Sequence, residues 1–210
     1  MQKKLHHPSH MALPHCQLAD QIIERVLHHT EYDGWGDDAL HHATKDIKCD
    51  NNLAQVIFPD VPKSLLIWAS GYVDNIMIEW LKANKPEKIT ATIFHGLMFR
   101  YRHVKKWRGG LSRAAIVLTS PAHIITASEL TWTTADRLWR TAGDDSNDFN
   151  HYSKRFLLSG IIAATLPVYL NDKTDDLVDT EKFLKNRLDD IKTINTTKTK
   201  IKEKIFGKTI

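Results

Sequence analysis

The sequence predicts an all-helical protein, with a head of three short helices followed by a body of longer helices. Apolar residues recur at spacings of three and four in most segments between turns, which is the period of an amphipathic helix. Only residues 112–126 have strand propensity, and two isolated strands among helices would have nothing to pair with. The hydrophobic fraction of 42% in 210 residues is enough for a core.

The predicted head covers residues 15–60 and follows a flexible arm at residues 1–14, which has two prolines and no apolar period. Its first helix is predicted to end near His29, because the turn-rich stretch Asp33-Gly34-Trp35-Gly36 follows. The second spans Asp37–Lys45, with Asp37 or Asp38 near the N-cap. The third spans Asn51–Phe58 and stops at Pro59.

The predicted body covers residues 61–194, and its helices are longer. A helix that is apolar nearly all round runs from Pro62 past Trp80 and should be buried among others. The remaining segments are Pro86–Lys106, a helical stretch within 112–126 after a break at Gly109-Gly110, Glu129–Ala142 closed by Gly143, Phe149–Thr165 with Pro167 near its end, and Leu177–Ile194.

Several function classes find no support in these residues. No apolar run reaches the roughly 18 residues needed to span a bilayer, and the basic first residues lack an apolar stretch, so we expect no secretory signal. Two cysteines far apart suggest neither a disulfide framework nor a zinc knuckle. Half of the twelve histidines occur as adjacent pairs, which point about 100° apart on a helix, so we predict no metal site. No nucleophile–base pair or phosphate loop stands out, and we predict no catalytic residue and no cofactor.

The positive charge is concentrated at the end of the chain. Residues 192–210 contain six lysines and one glutamate, a net charge of +5, whereas the whole chain is +4, so residues 1–191 sum to −1. Residues 195–210 form the predicted basic amphipathic tail, in which Ile201, Ile205 and Phe206 lie near one another opposite the lysines. We expect these three residues to contact an anionic membrane surface.

The stretch from Asn52 to Leu66 resembles the DNA-binding head of TetR-family regulators, in which an aromatic residue ends the recognition helix and a lysine-containing turn follows. A DNA-reading helix needs cations for phosphates. Residues 49–58 contain no lysine or arginine. We therefore expect no nucleic acid partner, and a ligand-responsive transcriptional repressor stays the alternative function.

The most informative stretch is residues 135–155. It contains Asp136, Trp139, Ala142-Gly143-Asp144, Ser146, Asp148-Phe149-Asn150, Tyr152 and Lys154-Arg155 in a dense pattern. Taken alone, its aspartates favour capping of the next helix over a metal site. The pattern resembles the accessory lipid-binding proteins of coenzyme Q (ubiquinone) biosynthesis, a family with a TetR-like fold and a helical ligand-binding body.

The resemblance implies a non-catalytic protein that binds isoprenoid quinone intermediates or a phospholipid and presents the lipid to the demethoxyubiquinone hydroxylase. It also implies a pair between Asp136 and Arg155 that bridges the two helices. The implied hydroxylase-binding surface consists of Leu138, Thr141, Asp148, His151 and Tyr152. The family usually has tryptophan where this chain has His151, and loss of an aromatic anchor weakens an interface.

Residues 156–168 are apolar on every face and include small residues, so this helix can line a lipid cavity or pack a core. The candidates for cavity lining are Phe156, Leu157, Ile161 and Ile162. By analogy with TetR-like folds we expect a homodimer. The expected location is the cytoplasm, peripheral to the inner membrane on the bacterial cytosolic side, or on the mitochondrial matrix side if the protein is organellar.

Overall fold

The computed structural model describes residues 17–84, 86–144, 146 and 149–190, without the side chains of Phe149 and Asn150. The described residues form helices and turns with no strand, so the all-helical prediction is confirmed. The helices are α1 (Gln17–Asp33), α2 (Asp37–Asp46), α3 (Asn51–Ile57), α4 (Lys63–Asn84), α5 (Ile89–His103), a 3-10 turn (Val104–Trp107), α6 (Arg108–Leu118), α7 (Ile124–Thr141), α8 (Phe149–Asn171) and α9 (178–190). The predicted arm at residues 1–14 and the predicted tail at 195–210, with Ile201, Ile205 and Phe206, lie outside the described residues.

The three short helices pack through the apolar faces seen in the sequence. Ile22, Ile23 and Val26 of α1 are fully buried, and α1 packs on α2, α4 and α6. α1 continues to Asp33, four residues beyond the predicted end at His29, and Gly34 ends it with φ of 75°. α2 is capped by Gly36 rather than by the predicted aspartates, which lie in its first turn.

α4 packs on α1, α5 and α7, and its most buried polar group is Asp74. The Asp74 carboxylate accepts a hydrogen bond from Arg100 Nε of α5 at 2.8 Å and one from Thr134 Oγ1 of α7 at 2.8 Å. Because a buried charge is costly unless it is paired, these bonds fix the relative positions of α4, α5 and α7.

The predicted break at Gly109-Gly110 is wrong, because both glycines lie in the first turn of α6. A Cβ atom on Gly110 would overlap Thr30 Oγ1 of α1, so the glycine allows the two helices to approach closely. The carbonyl of Gly110 also accepts a hydrogen bond from Trp35 Nε1 at 2.8 Å. The residue pair therefore serves helix packing rather than chain reversal.

Two further boundaries differ from the prediction. α6 ends at Leu118, and Pro121 separates it from α7, which begins at Ile124 instead of Glu129. α8 passes through Pro167 and continues to Asn171. Arg108 stabilises this extension by donating to the Tyr169 carbonyl at 2.7 Å and to the Asp172 carbonyl at 2.5 Å, which satisfies acceptors at the helix end.

The start of α9 is held by Asp172, just beyond α8. Its carboxylate accepts from the Thr180 backbone N–H at 2.8 Å and from Thr180 Oγ1 at 2.7 Å. Burial raises the pKa of Asp172, but the hydrogen bonds from Thr174 and Thr180 outweigh it and hold the pKa well below its usual range. Leu177, the predicted first residue of this helix, has φ of 58° and lies just outside it.

Candidate functional site

The candidate site is built on the turn between α7 and α8. α7 ends with Ala142 as the C-cap, and Gly143 follows with φ of 87°. The backbone N–H of Asp144 donates to the Trp139 carbonyl at 3.0 Å, and that of Gly143 donates to the Arg140 carbonyl at 3.0 Å. This is the Schellman arrangement that the predicted closing glycine makes possible. The turn reverses the direction of the chain, so that α8 packs against α7.

Arg155 lies at the centre of the α7–α8 contact and is 1% exposed. Its Nε donates to Asp136 Oδ1 at 2.5 Å, and its Nη1 donates to Asp144 Oδ2 and to the His151 carbonyl, both at 3.1 Å. The structure thus brings Asp136 and Arg155 together across the two helices, and adds Asp144 from the turn. We refer to Asp136, Asp144 and Arg155 as the buried clamp.

Polar side chains at the edge of the buried clamp satisfy the remaining carboxylate oxygens. Asp136 Oδ2 accepts from Arg140 Nε at 2.8 Å. Asp144 accepts from Lys154 Nζ at 2.6 Å and from Ser146 Oγ at 2.9 Å. Lys154 also lies over the Trp139 ring, 5.3 Å from its centroid.

The carboxylates of the clamp stay ionised over an extended acidic range. Burial raises the pKa of Asp144, but the hydrogen bonds from Lys154, Ser146 and Arg155 outweigh it and lower the pKa to about 2. Burial also raises the pKa of Asp136, and the hydrogen bonds from Arg155 and Arg140 bring it below its usual value. Both carboxylates are committed to cations, so the clamp supplies rigidity rather than a free base.

An exposed apolar stripe runs along α8 beside the clamp. Tyr152 is 53% exposed and Phe156 is 73% exposed. They are four residues apart and lie on the same face. The Tyr152 ring stacks on Trp132 of α7, with centroids 6.4 Å apart. The stripe continues along α8 through small or ring-shaped residues that are also exposed, namely Gly160, Ala163, Ala164 and Pro167. We call these six α8 residues, beginning at Tyr152, the α8 stripe.

The five residues of the predicted hydroxylase surface fall in different environments. Tyr152 is exposed, whereas Thr141 and His151 are half-buried. The His151 Nδ1 atom lies 2.7 Å from the Ser146 carbonyl. Leu138 is fully buried in the core, so its side chain lies behind the surface instead of on it. Asp148 lies outside the described residues.

The four residues predicted to line a lipid cavity also differ in their solvent exposure. Ile161 and Ile162 are each 7% exposed and pack in the core, while Leu157 is half-buried and Phe156 is exposed. Two surface depressions of about 380 and 370 Å³ occur in the described part of the chain. They are lined by Pro167, Val168, Asn171, Asp172 and Asp179, and by Asp37, Gln55, Phe58, Pro59, Asp60 and Val61. Neither is lined by a predicted lipid residue.

The sequence analysis missed the ion-pair role of Asp144, which it had assigned to helix capping. It also missed Trp132, whose stacking on Tyr152 comes from the packing of α7 on α8. The signal for Asp144 was present, because Lys154-Arg155 follows it by about three helical turns in a segment that must reverse direction. No spacing rule within one helix links Trp132 to Tyr152.

The features of α3 do not support the alternative function as a DNA-binding repressor. Leu53 and Val56 of this helix are exposed, and residues 49–58 contain no cation that could contact phosphates. α3 begins at Asn51 with Asp50 as the N-cap, whose carboxylate accepts from the Asn52 backbone N–H at 2.9 Å. Asp50 therefore places a negative charge at the end of α3 that would approach DNA.

The fold and the site define an all-helical protein that exposes an apolar stripe beside a buried clamp. Residues 124–195, which include the clamp and the α8 stripe, match the COQ9 family model. The resemblance predicted from the sequence is therefore confirmed, and the chain is related to the COQ9 proteins of ubiquinone biosynthesis.

Similar proteins cover most of this chain. The mitochondrial ubiquinone biosynthesis protein COQ9 of Bos taurus is 37% identical over 89% of this chain and 61% of its own length, and that of Homo sapiens is 36% identical over 89% and 61%. The protein of the same name from Xenopus tropicalis is 27% identical over 86% of this chain and 60% of its own length. The chain thus spans about three fifths of the length of these relatives. Within the described residues, no helix is long and apolar enough to cross a membrane.

Proposed function

We propose that this chain is a non-catalytic lipid-binding accessory protein of ubiquinone biosynthesis, which binds isoprenoid quinone intermediates and presents them to the demethoxyubiquinone hydroxylase. Its relatives carry ubiquinone biosynthesis in their names. The single observation that carries the partner-binding part is the α8 stripe, in which exposed Tyr152 and Phe156 lie directly beside a buried clamp. A helix fixed in this way loses little conformational entropy when a partner binds.

In this proposal Tyr152 and His151 contact the hydroxylase, and Thr141 lies at the edge of that contact. Asp148 lies outside the described residues and stays a contact residue predicted from the sequence. Leu138 supports the surface from inside, because its side chain is fully buried. Aromatic anchors dominate most interfaces, and Tyr152 is already oriented by its stacking on Trp132. The partner surface is therefore smaller than the five residues predicted from the sequence.

The proposed lipid contact begins at the exposed end of the residues predicted to line a cavity. Phe156 and Leu157 offer apolar surface, and Ile161 and Ile162 support it from the core. The stripe beyond Phe156 is formed of small residues, which allow a flat isoprenoid chain to approach the helix closely. The proposed location is the matrix side of the mitochondrial inner membrane, for which the relatives' names support only the word mitochondrial, and the proposed assembly is a homodimer.

Mass spectrometry of lipids extracted from the natively purified protein tests the lipid part. We expect polyprenylated quinone species to be enriched over bulk phospholipid, and Phe156→Ala to reduce that enrichment. Tyr32→Ala is the matched control, because Tyr32 is an exposed aromatic residue of α1 outside the stripe. A protein that carries only the phospholipid composition of the host membrane would contradict this part.

Binding of the purified hydroxylase, measured by interferometry, tests the partner part separately. Tyr152→Ala should raise the Kd about 30-fold, the size expected for an aromatic anchor. His151→Trp should lower the Kd, because tryptophan is the residue that the family resemblance implies at this position. Equal affinities for Tyr152→Ala, Tyr32→Ala and the unmodified protein would overturn the assignment of the surface.

A further inference from the structure

We propose that α1 and α2 together form a binding site for a first-row divalent metal ion such as Zn²⁺, with His29, Asp33 and His42 as the ligands. This site lies outside residues 124–195 and does not rest on the function proposed above. Sequence spacing within single helices did not reveal it, because its ligands come from two helices.

Each of the two helices contributes a histidine and an aspartate four residues apart. These are His29 and Asp33 in α1, and His42 and Asp46 in α2. Residues at that spacing lie on the same face of a helix. α1 and α2 pack side by side, so the two faces meet. One nitrogen of each of the two histidines and one Asp33 oxygen all lie within 4.8 Å of one another.

The distances converge on the Asp33 carboxylate. Asp33 Oδ2 lies 2.7 Å from His42 Nδ1 and 3.6 Å from His29 Nδ1. Ligands at about 2.0–2.1 Å from a tetrahedral Zn²⁺ ion are roughly 3.3 Å apart. The two separations from Asp33 bracket this value, and the two histidine nitrogens also lie within 4.8 Å of each other.

Asp46 orients the His29 ring as a metal ligand. Asp46 Oδ2 lies 2.8 Å from His29 Nε2, on the opposite side of the ring from Asp33. In the neutral ring, a proton on Nε2 is donated to Asp46, and the lone pair on Nδ1 points toward Asp33. A carboxylate behind a metal-binding imidazole fixes its tautomer and increases its basicity. The Asp46 contact therefore holds the His29 ring with Nδ1 toward Asp33.

Two imidazole nitrogens and one carboxylate oxygen favour Zn²⁺ and its neighbours in the first transition row over Mg²⁺ or Ca²⁺, which prefer oxygen ligands. To bind the ion through Nδ1, the neutral His42 ring must be the tautomer that carries its proton on Nε2. Water completes the coordination, because the His42 side chain is 47% exposed and the site is open on that side.

The test is a titration of the 210-residue chain with ZnCl₂ in competition with a chromophoric chelator, with CoCl₂ absorption as a second measurement. The unmodified protein should bind one equivalent that is lost in His42→Ala and in Asp33→Asn, with a loss of affinity of at least about 100-fold. Asp46→Ala should weaken this equivalent by about 10–100-fold, the usual effect of removing a carboxylate behind a ligand. Bound Co²⁺ should show the visible bands of a tetrahedral site.

His41→Ala is the matched control. His41 neighbours His42 on α2, is exposed, and its ring centroid lies 6.0 Å from that of His42. Its removal should leave the equivalent unchanged, whereas zinc bound by other histidines of the chain would respond equally to both variants. Equal loss in His41→Ala and His42→Ala overturns the proposal, as does the absence of a zinc equivalent that depends on His42 and Asp33. Far-ultraviolet circular dichroism without metal verifies that each variant is folded.

Discussion

The α7–α8 junction and the α1–α2 surface both join two helices through aspartate and a cationic or basic side chain, but they differ in exposure. Arg155 in the buried clamp is 1% exposed, whereas the side chains of His42 and Asp46 are each 47% exposed. Water can replace a partner at the exposed surface and cannot do so in the clamp. The same residue types therefore fix geometry in one region and leave groups available for a ligand in the other.

The comparison predicts different energetic consequences. Breaking a buried ion pair leaves an uncompensated charge and costs about 3–5 kcal/mol, whereas most exposed pairs contribute about 0–1 kcal/mol. The clamp also has more bonds to lose, because Arg155 serves two carboxylates and a backbone carbonyl. Substitutions in the two regions should therefore differ by several kcal/mol in their effect on the free energy of unfolding.

The largest effect is expected for Arg155→Met. Methionine fills much of the space but leaves the Asp136 carboxylate without its closest cation, so we expect a loss of about 3–5 kcal/mol in the free energy of unfolding. Urea denaturation followed by circular dichroism measures it. Arg187→Met is the control, since Arg187 is about half exposed and pairs with Asp190 on α9, and it should cost less than about 0.5 kcal/mol. Similar losses in both variants would mean that burial of the ion pair does not set the cost of breaking it.

The next effect concerns acid stability. The pKa of Asp144 is about 2 in the folded protein, and that of an unfolded aspartate is about 3.9. A lowered pKa means that the contribution is complete above about pH 4 and is lost as the pH falls toward 2. Asp144→Asn should therefore remove about 2 kcal/mol at pH 7 and flatten the fall in stability between pH 4 and 2. Parallel stability curves for variant and unmodified protein over that range would contradict the assignment.

The sequence predicted the helices better than their ends. Periodicity identified α1 because Ile22, Ile23 and Val26 are buried in the folded protein. It misread Gly109-Gly110, since a glycine needed for contact between distant helices looks the same as a glycine that breaks a helix. Boundaries such as the extension of α8 past Pro167 depend on Arg108, which is 59 positions away in sequence and beyond any local rule.

The candidate site was predictable only where a known pattern covers it. The pairing of Asp136 with Arg155 followed from the family resemblance and is present in the structure. The burial of Leu138 and the exposure of Phe156 were not predictable, because a residue on an apolar helix can face either side until its neighbours are placed. The metal-binding arrangement of α1 and α2 needed the same three-dimensional information.

A smaller effect on stability is expected from the glycines that follow α1 and α7, which belong to the turns and not to the ion pairs of either region. Gly34 follows α1 with φ of 75°, and Gly143 follows α7 with φ of 87°. Replacement of either by alanine should cost about 1 kcal/mol, because a Cβ atom is disfavoured in the left-handed region. Gly160 occupies an exposed position of α8, where an added Cβ meets no atom within 4 Å. Gly160→Ala should therefore raise the free energy of unfolding by about 0.5–1 kcal/mol. Thermal unfolding of the three variants measures these changes, and a loss confined to Gly143 would mean that the clamp, not the turn, sets the cost.

The smallest effect is expected for His42→Ala in the absence of metal. Its hydrogen bond to Asp33 is short at 2.7 Å, but water can hydrate both groups once the ring is removed, because the histidine side chain is 47% exposed. We expect a change below about 0.5 kcal/mol at pH 7. Urea denaturation with a chelator present measures it. If the free energy of unfolding fell as much as in Arg155→Met, the contact between α1 and α2 would depend on this hydrogen bond. The contact between α7 and α8 depends on the buried clamp in the same way. His42 would then be fixed by a structural role, and the two regions would differ in exposure but not in energetics.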